Sequence, residues 1–111
     1  MAKGILYVET WPSSPERAAD FHTWYDEIHL EDIVALPGFV GARRYTPVRE
    51  GDGPFVAVYD LEADDLRSVM RVLRAAMADG RIRMSDAIQM DPAPTMRLLE
   101  LTTTYDADAP T

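Results

Sequence analysis

The 111-residue chain has no cysteine, a single lysine (Lys3) and only two histidines. Without cysteine there is no disulfide frame, no thiolate nucleophile and no zinc–thiolate site, and a cytoplasmic location is the expectation. Basic residues number 11 against 19 acidic ones, for a net charge of −8. No basic cluster exceeds the pair Arg43–Arg44, so a nucleic-acid-binding face is not expected. No apolar run approaches the roughly 20 residues needed to cross a membrane. The N-terminal MAKGILYVETW has its apolar run broken by Glu9, which is not the pattern of a signal peptide. Neither a glycine-rich phosphate loop nor a serine-centred nucleophile elbow occurs, so nucleotide cofactors and acyl-serine chemistry find no support.

What remains has the composition of a globular domain, 47% apolar and 27% charged. A single domain over residues 1–105 is expected, with a disordered tail over 106–111. Ile5 to Trp11 alternates with a period of two and predicts a strand. A helix is predicted to start near Ser14, either through a capping box of Ser13 with Glu16 or with Ser14 as cap and Pro15 in the first turn. It runs to Ala35, where Leu36-Pro37-Gly38 stops it. Gly38 to Val48 predicts a second strand, Arg49 to Pro54 a hairpin loop, and Phe55 to Leu61 a third strand. Ala63 to Asp79 carries an apolar stripe at helical spacing. Arg81 to Pro94 is hard to read beyond a possible helical turn around Ser85–Met90, and Thr95 to Tyr105 predicts a last strand. The order β-α-β-β-α-β is the split unit of ferredoxin-like α+β folds with an antiparallel sheet. Helices on one face leave the other in need of cover, and a homodimer through that face is the expected solution.

The stretch Phe21 to Tyr45, FHTWYDEIHLEDIVALPGFVGARRY, holds both histidines. His22, Asp26 and His29 are spaced by four and three, which on a regular α-helix places them on one face. An imidazole titrates near neutrality and can take and return a proton, so His29 is either a pocket acid/base or an interior histidine bonded to a carbonyl. Asp26, one turn earlier, is either a group that fixes the His29 tautomer or a surface acid. Two histidines seven apart with an intervening aspartate are a weak metal signal, and no metal is expected. A gradient is predicted, with His29 most buried, Asp26 intermediate and His22 most exposed.

Tyr7, Trp11, Trp24, Tyr25, Tyr45 and Tyr59 are mostly core aromatics by default. If the face of the second strand bearing Arg43 and Tyr45 meets the first helix, those two and Tyr7 line one cavity with His29 and could hold a carbonyl, phenolate or carboxylate. Arg44 would then point the opposite way; a one-residue register error would swap the two arginines. Met70, Met77, Met84, Met90 and Met96 are first of all core filling, and alternatively a soft wall for a planar apolar ligand.

The motifs TWYDEIH, LPGFVGARRY and FVAVYDLE, in this element order, resemble the dimeric α+β barrel superfamily, and within it the EthD-like group, over residues 3 to 105. Relatives commonly carry a proline two places after the histidine, where this chain has Glu31. The resemblance implies a pocket in each subunit between the helices and a concave sheet. It also implies the chemistry of small decarboxylases, lactone isomerases, polyketide cyclases and cofactor-free oxygenases. By motif position it assigns His29 as the pocket acid/base and gives His22 no role. From the spacing and facing of the residues themselves, Asp26 and Tyr45 are the expected catalytic partners. His22, Trp24, Tyr25, Tyr7, Arg43 and Tyr59 are the expected contacts to a small hydrophobic or aromatic molecule. A non-catalytic ligand-binding or assembly module remains the alternative from another class.

Overall fold

Nine residues at the N-terminus, Ala2–Thr10 (β1), form the strand around which the sheet is built. The computed structural model describes residues 1–107, so 108–111 of the expected tail lie outside the described residues. A helix follows in four pieces: a 3-10 turn at Pro15–Arg17, α-helix over Ala18–Trp24 (α1), a π turn at Tyr25–His29, and α-helix again over Leu30–Val34 (α2). Ser14 occupies the cap position with Pro15 behind it, although its side chain makes no capping bond. The chain then forms β2 (Phe39–Tyr45), β3 (Phe55–Ala63), α3 (Leu66–Ala78) and β4 (Thr95–Glu100). The sheet is antiparallel in the order β2-β3-β1-β4, the ferredoxin-like arrangement.

Two stops in the sequence work as their chemistry dictates. Gly38 turns the chain out of α2 with φ +91°, a conformation open to glycine, and a Cβ there would come within 2.8 Å of Val69 Cγ2. Asp65 caps α3 by accepting a hydrogen bond from the Arg67 backbone N–H at 3.0 Å. The helices pack on the sheet face that carries Leu6, Val8, Ala57, Tyr59 and Leu61, all buried.

The other sheet face has no helix over it. It carries Ile5, Tyr7 and Glu9 from β1, with Val58 paired opposite Tyr7 on β3. Residues 81–94 form no helix, contrary to the expected turn around Ser85–Met90. Their backbone is tied instead to the strand–helix junction, through Ser13 N–H to the Ala87 carbonyl (2.6 Å) and Gln89 N–H to the Trp11 carbonyl (2.9 Å). Ile82, Ala87 and Ile88 are buried beneath this segment. The last strand is shorter than predicted, because pairing with β1 ends at Glu100 and the chain beyond runs exposed to Ala107.

One irregularity decides which side chains face the helices. Phe39 pairs with Leu61 but Gly41 pairs with Asp60, so β2 spends two residues where β3 spends one, and Val40 is the bulge. Strict alternation would put Phe39, Gly41, Arg43 and Tyr45 on one face. The bulge breaks that set, leaving Phe39, Ala42 and Arg44 toward the helices and Arg43 and Tyr45 on the opposite face.

Candidate functional site

Between α3, the π turn, the inner sheet face and the 81–94 segment lies a cavity of about 570 Å³. Its floor is Leu6, Val8, Thr10 and Tyr59, and its helix wall is Tyr25, His29 and Ile33. All five methionines at 70, 77, 84, 90 and 96 line it, and four of them (Met77, Met84, Met90, Met96) are exposed at its mouth. Met70 also packs against the core, while the other four form the rim, so each of the two readings their spacing allowed holds in part.

His29 reaches this cavity because of the π turn. Phe21, Tyr25, His29 and Ile33 are each four residues apart and all buried. At about 100° per residue, twelve residues of pure α-helix would leave Ile33 some 120° away from Phe21. A π turn absorbs about one extra residue, which brings the pair back to within roughly 20°. His29 therefore sits in the middle of the buried stripe, not at its edge, and Ile28 is displaced to the side.

The same turn stacks His29 on Trp24 five residues back, with centroids 4.5 Å apart and planes at 29°, and sets Tyr25 edge-on to it at 5.0 Å. Trp24 is pinned in turn, its indole N–H donating to the Arg83 carbonyl at 2.9 Å.

His29 is 9% exposed. Its Nδ1 is sealed from solvent without a hydrogen-bond partner, so Nε2 is the ring nitrogen left to meet the cavity. Burial pushes the imidazole down to about 4, opposed in part by the charge of Asp32, so the ring is neutral at physiological pH. Asp32 is the acid that acts on it. It is clamped by the Arg83 side chain at 3.0 and 2.7 Å and by the Arg83 N–H at 2.9 Å, which holds its carboxyl at about 2.

Above the cavity floor, burial raises both phenols, Tyr25 and Tyr59, which also lie close enough to act on each other. The Tyr59 hydroxyl is sealed and reaches no partner with good hydrogen-bond geometry. Thr10 beside them donates to the Phe55 carbonyl at 3.3 Å.

Several expected site residues lie elsewhere. Tyr45 is half exposed and accepts from Arg43 Nε at 3.1 Å, while Arg43 pairs with Asp60 at 2.6 Å, all on the helix-free face. Tyr7 is on that face too, donating to Glu9 at 2.9 Å. None of the three lines the cavity, for the reason given by the bulge at Val40 and by the inward direction of Leu6 and Val8.

Asp26 does not touch His29. Its side chain is 58% exposed and binds Arg44 at 2.8 Å. Arg44 is the arginine that faces the helix, lying 4.5 Å over the Tyr25 ring, with its NH2 3.1 Å from His22 Nδ1. A guanidinium can only donate, so His22 accepts at Nδ1 and is neutral. Burial and the Arg44 charge both lower the His22 pKa. The predicted gradient is thus reordered: His29 is the most buried, His22 half-buried, and Asp26 the most exposed. Among the described residues no three of His, Cys, Asp or Glu converge as a metal site.

Sequence reasoning passed over Thr10, Asp32 and Arg74 as parts of this region. The four-residue repeat Phe21-Tyr25-His29-Ile33 was the available signal for the π turn.

No protein-family model and no curated protein matches the chain by sequence. Its structure is similar to that of a putative monooxygenase from Shewanella loihica PV-4, at 15% identity and a TM-score of 0.59, covering 94% of this chain and 99% of that one. A likeness at this identity shows the ferredoxin-like α+β fold, over nearly the whole of both chains. Among the described residues no helix is long and apolar enough to cross a membrane.

Proposed function

We propose that the chain is a cofactor-independent enzyme that moves protons on a small, largely apolar molecule, with His29 Nε2 as the base. The observation that carries this reading is a neutral, partnerless imidazole opening onto an apolar cavity beside two buried phenols. A ketone or β-dicarbonyl seated there would lose a proton from the carbon next to its carbonyl to Nε2. The C–H electron pair would move into the enolate, and its oxygen would accept a hydrogen bond from the Tyr25 hydroxyl. A base near 4 is weak in the empty pocket, but the enolate and Asp32 both favour the imidazolium that forms. Returning the proton to another carbon isomerises the substrate, and return to oxygen after the enolate carbon has formed a C–C bond to a second carbonyl completes a cyclisation. In a decarboxylation the electron pair of the breaking C–CO₂ bond forms the enolate instead, which then takes up a proton by way of His29. In this reading Trp24 and Tyr25 hold the ring of His29, while Asp26 and His22 act only through Arg44. The EthD-like motif around Trp24–His29 supports the same assignment, in a cytoplasmic setting.

The likeness to a putative monooxygenase gives a second reading, in which the same enolate passes an electron to dioxygen. Proton abstraction is common to both. Incubation with 2-tetralone in D₂O tests it directly. The protein should accelerate loss of the C1 hydrogens in the proton NMR spectrum, and His29→Gln should not; equal rates for the two would sink the proposal. Oxygen uptake during the reaction separates the second reading from the first.

The uncovered sheet face, with Ile5, Tyr7, Val58 and Leu99 on it, supports a homodimer through that face, closing the barrel that the resemblance implies. Light scattering at micromolar concentration should give twice the chain mass, and a monomer would refute this part.

A further inference from the structure

We propose that the pocket's ligand is an amphipathic carboxylate, with its apolar body against the methionines and its anionic end held at the mouth by Arg71 and Arg74. The inference rests on the ligand-binding reading above and adds to it a substrate class. Arg74 lines the His29 cavity and also a second groove of about 540 Å³, which shares Leu6, Met70 and Met96 with that cavity. Arg67 and Arg71 line this groove as well. The helical period explains the placement. Taking Leu66 as zero, Met77 and Met70 fall at about 20° and 40°, and Arg74, Arg67 and Arg71 at about 80°, 100° and 140°. The apolar edge of α3 thus passes into a cationic edge as it leaves the sheet, on the side that overlooks β4.

Charge makes this edge stand out. The chain carries a net −8, and five other arginines (Arg17, Arg43, Arg44, Arg81 and Arg83) are held by carboxylates at 2.6–3.2 Å. Arg67 has only a loose pairing with Asp65 at 3.7 Å. Arg71 and Arg74 make no ion pair or hydrogen bond among the described residues; Arg49 and Arg97 make none either, but they line neither the cavity nor the groove. Two free guanidiniums at the open end of an apolar cavity complement an anion attached to an apolar chain, and a guanidinium fork suits a carboxylate. Both are exposed, so the anion stays in contact with water and acts as a handle rather than as the reacting group.

Calorimetric titration with octanoate and with octan-1-ol tests the proposal, since the probes share an apolar chain and differ in the anionic end. Octanoate should bind the intact chain about tenfold more tightly than the alcohol. The advantage should fall to within about twofold in the Arg71→Gln/Arg74→Gln double variant, and likewise in 0.5 M NaCl, where the screening length is only a few ångströms. It should persist in His29→Gln, whose change lies away from the mouth. Equal binding of the two probes overturns this inference and leaves the pocket reading standing. So does a preference that survives loss of both arginines. Saturable binding of neither probe overturns both.

Discussion

Acidification from pH 7 to pH 5 should destabilise the protein through His29 alone by about 2 kcal/mol. The imidazole titrates at about 4 in the folded chain against 6.5 when free. Below pH 6.5 the unfolded chain therefore takes up a proton that the folded chain refuses. Stability is complete above that pH and declines until about pH 4, by roughly 3 kcal/mol in all. For a domain of this size the 2 kcal/mol at pH 5 corresponds to roughly 10 °C in Tm. His29→Gln should flatten this slope while keeping the fold. The lowered His22 contributes with the same sign, so the comparison is best made in a His22→Gln background. Asp32, held at about 2 by Arg83, begins to lose its contribution only below its free value of 3.8 and stays out of the window. Urea midpoints at pH 7, 6 and 5, at one protein concentration, provide the measurement. If the His29→Gln protein loses as much stability as its parent between pH 7 and 5, burial does not hold the imidazole neutral. The proposed base would then lack its physical footing.

Two further outcomes follow from the same geometry. Tyr59→Phe removes a buried hydroxyl without a good partner, so the urea midpoint should stay level or rise, by up to about 1 kcal/mol, and proton exchange on 2-tetralone should be unchanged. Arg44→Lys should lower stability in the same urea titration by about 1–3 kcal/mol, because an ammonium cannot lie flat on Tyr25 while bonding Asp26 and His22.

The element order was legible because each boundary carried its own chemistry: alternation in β1, Pro15 and Gly38 at the helix ends, and the Asp-Gly turn before β3. Facing was less legible. Period two assigns sides only while the ladder is regular, and Val40 interrupts it, which exchanged Arg43 for Arg44 and sent Tyr45 out of the site. Nothing in GFVGARRY marks a bulge except a glycine that could equally be ordinary strand. Residues 81–94 gave no periodic signal because they are held by single contacts to distant parts of the chain, such as Arg83 to Asp32, rather than by a repeating pattern.

His29 is buried beside a cavity, as expected, but the geometry that puts it there differs from a regular helix. A regular α-helix would place it at the edge of the buried stripe, in line with His22 and Asp26, whereas the π turn moves it to the centre and parts it from both. That displacement gives the residue its chemical character. At an α-helical edge, beside Asp26, the imidazole would be wet, paired and close to its ordinary pKa. In the π turn it is stacked on Trp24, stripped of water at Nδ1 and set edge-on against the Tyr25 ring. Four methionines complete the contrast: Met77, Met84, Met90 and Met96 stand exposed at the rim of the cavity whose helix wall is Tyr25, His29 and Ile33. A soft apolar rim around a dry neutral base suits a site that shields a carbanion from water, and it is the local irregularity of one helix that sets the two facing each other.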